Sequence, residues 1–399
     1  MRLTVGIGAA LFLCLASGHL PALGQSDASD PMADFYYIFP HPTGSNGYEY
    51  LVRAGMMLSG NKTLLAAESG DATLTARQMA LADPAVRKAL RLLGQGLDMP
   101  VSSPRTEIDQ NTRFPEYAGF RRLARTLAIR QYVLLADGKI DESIECMREG
   151  LQLGFDAQTE KIAIAGLVGI AIDFIVIRTI AVHLQQFSVA DCRKLLETVQ
   201  AWLEVKPPLQ SMLMGERNQE LMELHRARSN LDDVLSDVAD SGSPANQKAA
   251  AILQANPVAA AAAVDQAINL VNAEFQYTFQ SLLAPPWLRQ PWAEPSDEGP
   301  EVALFDLVNL SLPRILDRYT VDRARLQLLA CHAAIRKFQW EYNRLPDTLS
   351  ELRLGDLATD PFSGKPFGYR QTGGAFELYS VGPVDAEHGG RRQLSEQMR

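Results

Sequence analysis

The sequence predicts a mainly α fold, a helical bundle or irregular array of αα-hairpins, closed by a small C-terminal α+β unit. Three observations predict it. Apolar residues recur at three- and four-residue spacing over most of residues 46–283. Prolines and glycines gather at the breaks between those segments. Phe, Tyr and Val in extended runs around a Gly-Gly turn gather near residues 367–381.

The 399 residues are 47% hydrophobic and 21% charged, ordinary for a folded chain of two or three units with a sizeable core. The formal net charge is −9, and no run of five or six basic residues occurs. A phosphate-binding surface needs clustered Lys and Arg to release counterions, which argues against nucleic acid as a partner. Anionic lipid headgroups are disfavoured for the same reason.

Arg2, the apolar run Val5–Ala16 and the small-x-small triplet Ala22-Leu23-Gly24 read as a secretory signal peptide over residues 1–24. That run is shorter than the ~20 residues a membrane span needs. The mature chain is therefore expected in the periplasm or outside the cell. Without the leader, Cys146, Cys192 and Cys331 remain, an odd number at long separations. Buried free thiols are expected, with a single bridge as the alternative.

Residues 25–45, rich in Asp, Ser, Pro and Gly, read as an irregular lead-in. In NGYEYLVRAGMML, Tyr50, Leu51, Ala54 and Leu58 share a helix face. A helix over about residues 75–93 restarts at Pro84, with Asp83 as its cap. FRRLARTLAIRQYVLLADGKIDESIECMREGLQLG predicts an αα-hairpin. Leu123, Leu127, Leu134 and Leu135 line one arm; Ile140, Ile144, Met147 and Leu151 line the other. Leu134, Gly138, Ser143 and Gly150 stand at spacings that resemble a tetratricopeptide repeat. The likeness covers one hairpin of about 30 residues, whereas a solenoid needs about three copies.

Ile162–Leu184 is the most apolar interior segment and is long enough to cross a bilayer. Asp173 and Arg178 near its middle would each cost about 2.5–3.5 kcal/mol there. A core helix with a partner for Asp173 is expected, a membrane span being the alternative. Ser188 caps the next helix, through Leu195, Leu196, Val199 and Trp202. A long polar helix, MLMGERNQELMELHRARSNLDDVL, and an Ala-rich helix restarting at Asn256-Pro257 complete the body. Residues 284–300 hold five prolines and read as a linker, which Trp287 and Trp292 are expected to pin to a surface.

Chemistry has little local signature. His41, His183, His225, His332 and His388 lie far apart, with no His-Glu-x-x-His and no Cys-x-x-Cys. Glu216, Glu220 and Glu223 share a helix face, but Arg217, Arg226 and Arg228 are interleaved, as on a solvated charged face. His225 follows Glu220 by five residues, not by the three of a Glu-x-x-His motif. There is no Gly-x-Ser-x-Gly elbow and no phosphate-cradling glycine loop. Cys331 and His332 are consecutive on a helix and so point about 100° apart, which is no dyad. No catalytic residue and no cofactor is assigned from these patterns.

Residues 301–390 read as one helix and a small antiparallel sheet. Leu328, Cys331, Ile335, Phe338 and Tyr342 form an apolar stripe on a helix over about residues 321–343. Pro346 ends it, Asp360-Pro361 and Ser363-Gly364 make a tight loop, and a hairpin follows. The order NRLPDTLSEL, DPFSGKPFGYR, FELYSVGP resembles the C-terminal head of the type II secretion major pseudopilin. The match covers roughly residues 321–390. It implies a helix lying on a small sheet and a closing loop that holds calcium. Here that loop reads GPVDAEHGG, so Asp385 is the one side-chain calcium ligand carried over, with Glu387 beside it. In the family the head follows an assembly helix, whereas here it follows some 300 residues, so pseudopilus assembly is not expected. Residues 391–399 read as a charged, disordered tail.

The expected function is that of an exported, non-catalytic envelope or periplasmic scaffold with a protein partner and no stable membrane span in the mature chain. The alternative is an exported hydrolase with a pocket between helical body and C-terminal module. Such a pocket would bring His183 or His225 to Asp173 or Glu220.

Overall fold

The structure is a computed structural model. It describes residues 31–105, 108, 112–205, 209–229, 244–290, 292–293, 299–309, 311–385 and 390–391. The signal peptide and the final tail residues lie outside that set. Helix α1, Pro31–Ile38, occupies part of the stretch expected to be irregular. At eight residues it is too short to stand alone. Tertiary packing accounts for it: Phe35 and Ile38 are buried, and the Arg53 guanidinium lies 4.5 Å over the Phe35 ring.

Side-chain caps start the next four helices. Asn46, Asn61, Thr73 and Asp83 each accept a bond from a following backbone N–H. They open α2 (Gly47–Met57), α3 (Lys62–Ala67), α4 (Leu74–Ala82) and α5 (Pro84–Leu97). Helices α6 (Glu116–Ala136) and α7 (Ile140–Asp156) form the predicted hairpin, with Gly138 in its turn at φ +73°. Then come α8 (Ala163–Ala181), α9 (Val189–Val205), α10 (Leu209–Ser229), α11 (Pro244–Ala255), α12 (Pro257–Ser281), α13 (Pro300–Val308) and α14 (Leu312–Tyr342).

Three apolar cores result, and α14 serves all of them. Helices α1–α9 enclose the first, which Leu326, Leu329, Ala330 and Ala333 of α14 complete. Helices α10–α13 build the second with Leu312, Ile315 and Tyr319. Val321, Leu328, Cys331 and Ile335 face a third, shared with Leu345, Leu349, Phe367 and Leu378. The single apolar stripe expected on this helix is thus two buried faces, and Tyr342 lies outside them at 62% exposure.

Helix α8 is long and apolar enough to cross a membrane, yet 61% of its most apolar window is buried, mainly against α6, α7 and α14. Asp173 is 2% exposed there. Glycines make room for the polar groups around it. A Cβ on Gly154 would fall 2.4 Å from an Asp173 carboxylate oxygen, and one on Gly169 would fall 2.5 Å from the Gly154 carbonyl. The Tyr319 hydroxyl donates to Gln158 Oε1 at 3.1 Å, and Gln158 Nε2 donates to the Gly154 carbonyl at 3.0 Å. Gly169→Ala is therefore expected to destabilise the fold by about 2 kcal/mol, because backbone must move, despite the better helix propensity of Ala. Urea unfolding of the two chains measures this, and an equal or higher midpoint for the variant contradicts it.

The C-terminal module is a hairpin on loops rather than a broad sheet. Strands β1 (Gly368–Thr372) and β2 (Ala375–Tyr379) pair antiparallel, with Thr372 opposite Ala375. Gly373 and Gly374 stand at φ +57° and +88°, as a two-residue turn of this hand requires. Strands β3 (Val384–Asp385) and β4 (Gly390–Arg391) form a separate short pair. Both tryptophans of the proline-rich stretch pack on folded parts. Trp287 lies against Gly364, where a Cβ would fall 2.5 Å from the ring, and Trp292 sits 5.7 Å from Phe305 between ring centres.

Candidate functional site

The histidine and carboxylate pairs that a hydrolase would need are not brought together. His183, just past α8, has Nδ1 2.8 Å from the Thr179 carbonyl and its ring edge-on to Tyr132. Asp173 precedes it by ten residues along the same helical path, roughly 15 Å away at 1.5 Å per residue. On α10, His225 is exposed while Glu220 is 2% exposed, so they occupy opposite faces.

Glu216 and Glu220 correct the expectation of a solvated face, since both are buried. Helix α10 packs across the start of α8, and the Glu216 carboxylate accepts the Ala163 N–H at 2.7 Å. Burial pushes this carboxyl up to about 7, against the pull of that bond. Interleaved arginines in the sequence concealed the arrangement, because they sit on the flanks: Arg217 reaches Asn272, and Arg226 reaches Glu223.

The three thiols are buried and free. Burial pushes Cys192 up to about 11 and Cys331 up to about 12, which makes them poor nucleophiles. Burial also pulls the His332 imidazole down to about 4; its ring lies edge-on to Phe376.

One ionic cluster was not foreseen. Arg105 reaches Glu116 at 2.6 Å and Glu160 at 2.8 Å, all three with side chains at most 8% exposed. Ser103 donates to Glu160 and Tyr48 to Glu116. These bonds tie the loop before α6 to the start of that helix and to the turn after α7. Each carboxylate is held by protein donors, so the cluster reads as a brace.

Asp385 lies in β3 with its backbone opposite Gly390. Its calcium loop, including Glu387, falls on residues outside the described set. Among the described residues, no group of three or more His, Cys, Asp and Glu could hold a metal ion.

A concavity of about 640 Å³ lies between helical body and C-terminal module. Leu196 of α9, the last two turns of α14 and residues 344–354 line it. Ala334 and Phe338 are buried beneath it, while Tyr342, Arg344 and Arg353 are exposed at its edge. The Phe338 and Tyr342 rings stand 4.4 Å apart, and the Arg344 guanidinium lies 5.0 Å from the Phe338 ring centre. Lys337 meets Glu341 at 3.4 Å, and Arg344 meets Glu351 at 2.6 Å. The sequence carried half of this signal, in the stripe that ends at Tyr342; the juxtaposition with α9 was not readable from it.

In comparisons with known proteins, no family model, no curated protein and no solved structure matches the chain.

Proposed function

We propose that this chain is an exported, non-catalytic protein of the cell envelope. It docks a protein partner in the groove between its helical body and a pseudopilin-like C-terminal module. The groove's make-up carries this reading: aromatic and ionic groups line it, no histidine does, and its acids pair with neighbouring bases. Export is supported by the leader pattern, and the pseudopilin likeness by the order of NRLPDTLSEL, DPFSGKPFGYR and FELYSVGP.

Removing the module from residue 321 onward would strip α14 from two other cores, so a deletion cannot isolate docking. A photo-crosslinking side chain at position 342, with exposed Met79 as control position, tests it in intact envelopes. A discrete crosslinked species from 342 and not from 79 is the expected result. The same pattern from both positions, or none from 342, overturns the reading.

A further inference from the structure

The groove's charge is uneven in a way that its paired residues do not explain. Lys337 is matched by Glu341, and Arg344 by Glu351, but Arg353 is in no ion pair among the described residues. The lining thus carries a residual positive charge although the whole chain is at −9. Arg353 also stands at φ +54°, a left-handed conformation that suits glycine and costs L side chains energy. It is held there at the end of the turn Leu349–Leu352, which Thr348 and Glu351 cap reciprocally. A cation is therefore kept where the backbone would favour Gly.

We propose that the groove takes an acidic, extended polypeptide segment. Its carboxylates would meet Arg353, and its apolar side chains would cover Phe338 and Leu352. This rests on the groove being the docking surface. The volume, about 640 Å³, is that of a site for a drug-sized ligand or a few residues of chain. A small free anion would leave the apolar floor uncovered. A nucleic acid would want several clustered cations where one is free.

Fluorescence anisotropy on the purified full chain tests the assignment. The probes are labelled octapeptides alternating Leu with Glu, with Gln or with Lys. The Glu peptide is expected to bind about fivefold tighter than the Gln peptide, the ceiling for a single solvent-facing ion pair. About 0.5 M salt should erase that preference. Arg353→Gly should bring the Glu peptide to the Gln level while the thermal midpoint holds or rises, since Gly suits the left-handed backbone. A purely structural role for Arg353 would not separate binding from stability in this way. Tyr342→Ala should weaken every probe that binds.

If Gln or Lys peptides bind as tightly as Glu, or if Arg353→Gly keeps the preference, the acidic occupant is overturned. The docking surface survives that result provided Tyr342→Ala still weakens binding. If no peptide binds, the acidic occupant falls, and the crosslinking at position 342 decides the docking surface by itself.

Discussion

Asp360→Ala is expected to destabilise the C-terminal module by about 3 kcal/mol, and Asp360→Asn by less. Asp360 is 1% exposed, and its carboxylate is fully engaged by the protein. Oδ1 accepts the Phe362 N–H at 2.9 Å and the Ser380 hydroxyl at 2.9 Å; Oδ2 accepts the Val381 N–H at 2.7 Å. Its own carbonyl accepts the Gly364 N–H at 2.9 Å, closing the DPFSG turn. One side chain thus joins the turn before β1 to the end of β2. Hydrogen bonds to a charged acceptor contribute about 1.5–3 kcal/mol each, and truncation leaves buried donors unmet. Alanine removes all three bonds. Asparagine keeps an acceptor for Phe362 and Ser380 but sets an NH₂ group against the Val381 N–H. Hydrogen exchange at Phe362 and Val381, with thermal unfolding, should rank native above Asn above Ala. Equal protection in all three chains would show that the turn closes without the carboxylate.

The same residues show what a sequence makes legible. Caps at Asn46, Asp83 and Asn256 were readable because each acts on backbone two or three residues away. The Gly373-Gly374 hairpin and the α6–α7 turn were readable for the same local reason. Periodicity also marked the buried faces of α6 and α7. What failed was long-range. Tyr342 continues a stripe by spacing yet projects past the end of its core, since no element covers the last turn of α14. Glu216 and Glu220 look like surface acids until α8 and α12 are placed beside α10. Helix α1 is unreadable from PMADFYYI, because its stability comes from partners far along the chain. The groove is of the same kind: α9 and residues 344–354 are some 150 positions apart and meet only through α14.

Glu216→Gln is expected to stabilise the fold above neutral pH and to leave it unchanged in mild acid. The group is 4% exposed, and burial raises it from 4.5 to about 7 in the folded chain. Between those values the folded form keeps a proton that the unfolded form has lost. Stability must then fall as pH rises through that window and level off above about 7. The full step is about 3 kcal/mol, at 1.36 kcal/mol per unit. Asp156, raised by burial from 3.8 to about 6, adds a step of the same sign at lower pH, partly opposed by its bond from Gln152. A glutamine amide oxygen can still accept the Ala163 N–H at the start of α8, so the cap survives while the buried charge does not. Helix N-termini favour an anion by about 0.3–1 kcal/mol, too little to outweigh this burial. Urea midpoints across about pH 5 to 8 should fall for the native chain and stay level above about pH 6 for the variant. Should the variant instead be weaker at every pH, the ionised carboxylate would be the working form of the cap, and α8 would depend on the charge rather than merely tolerate it.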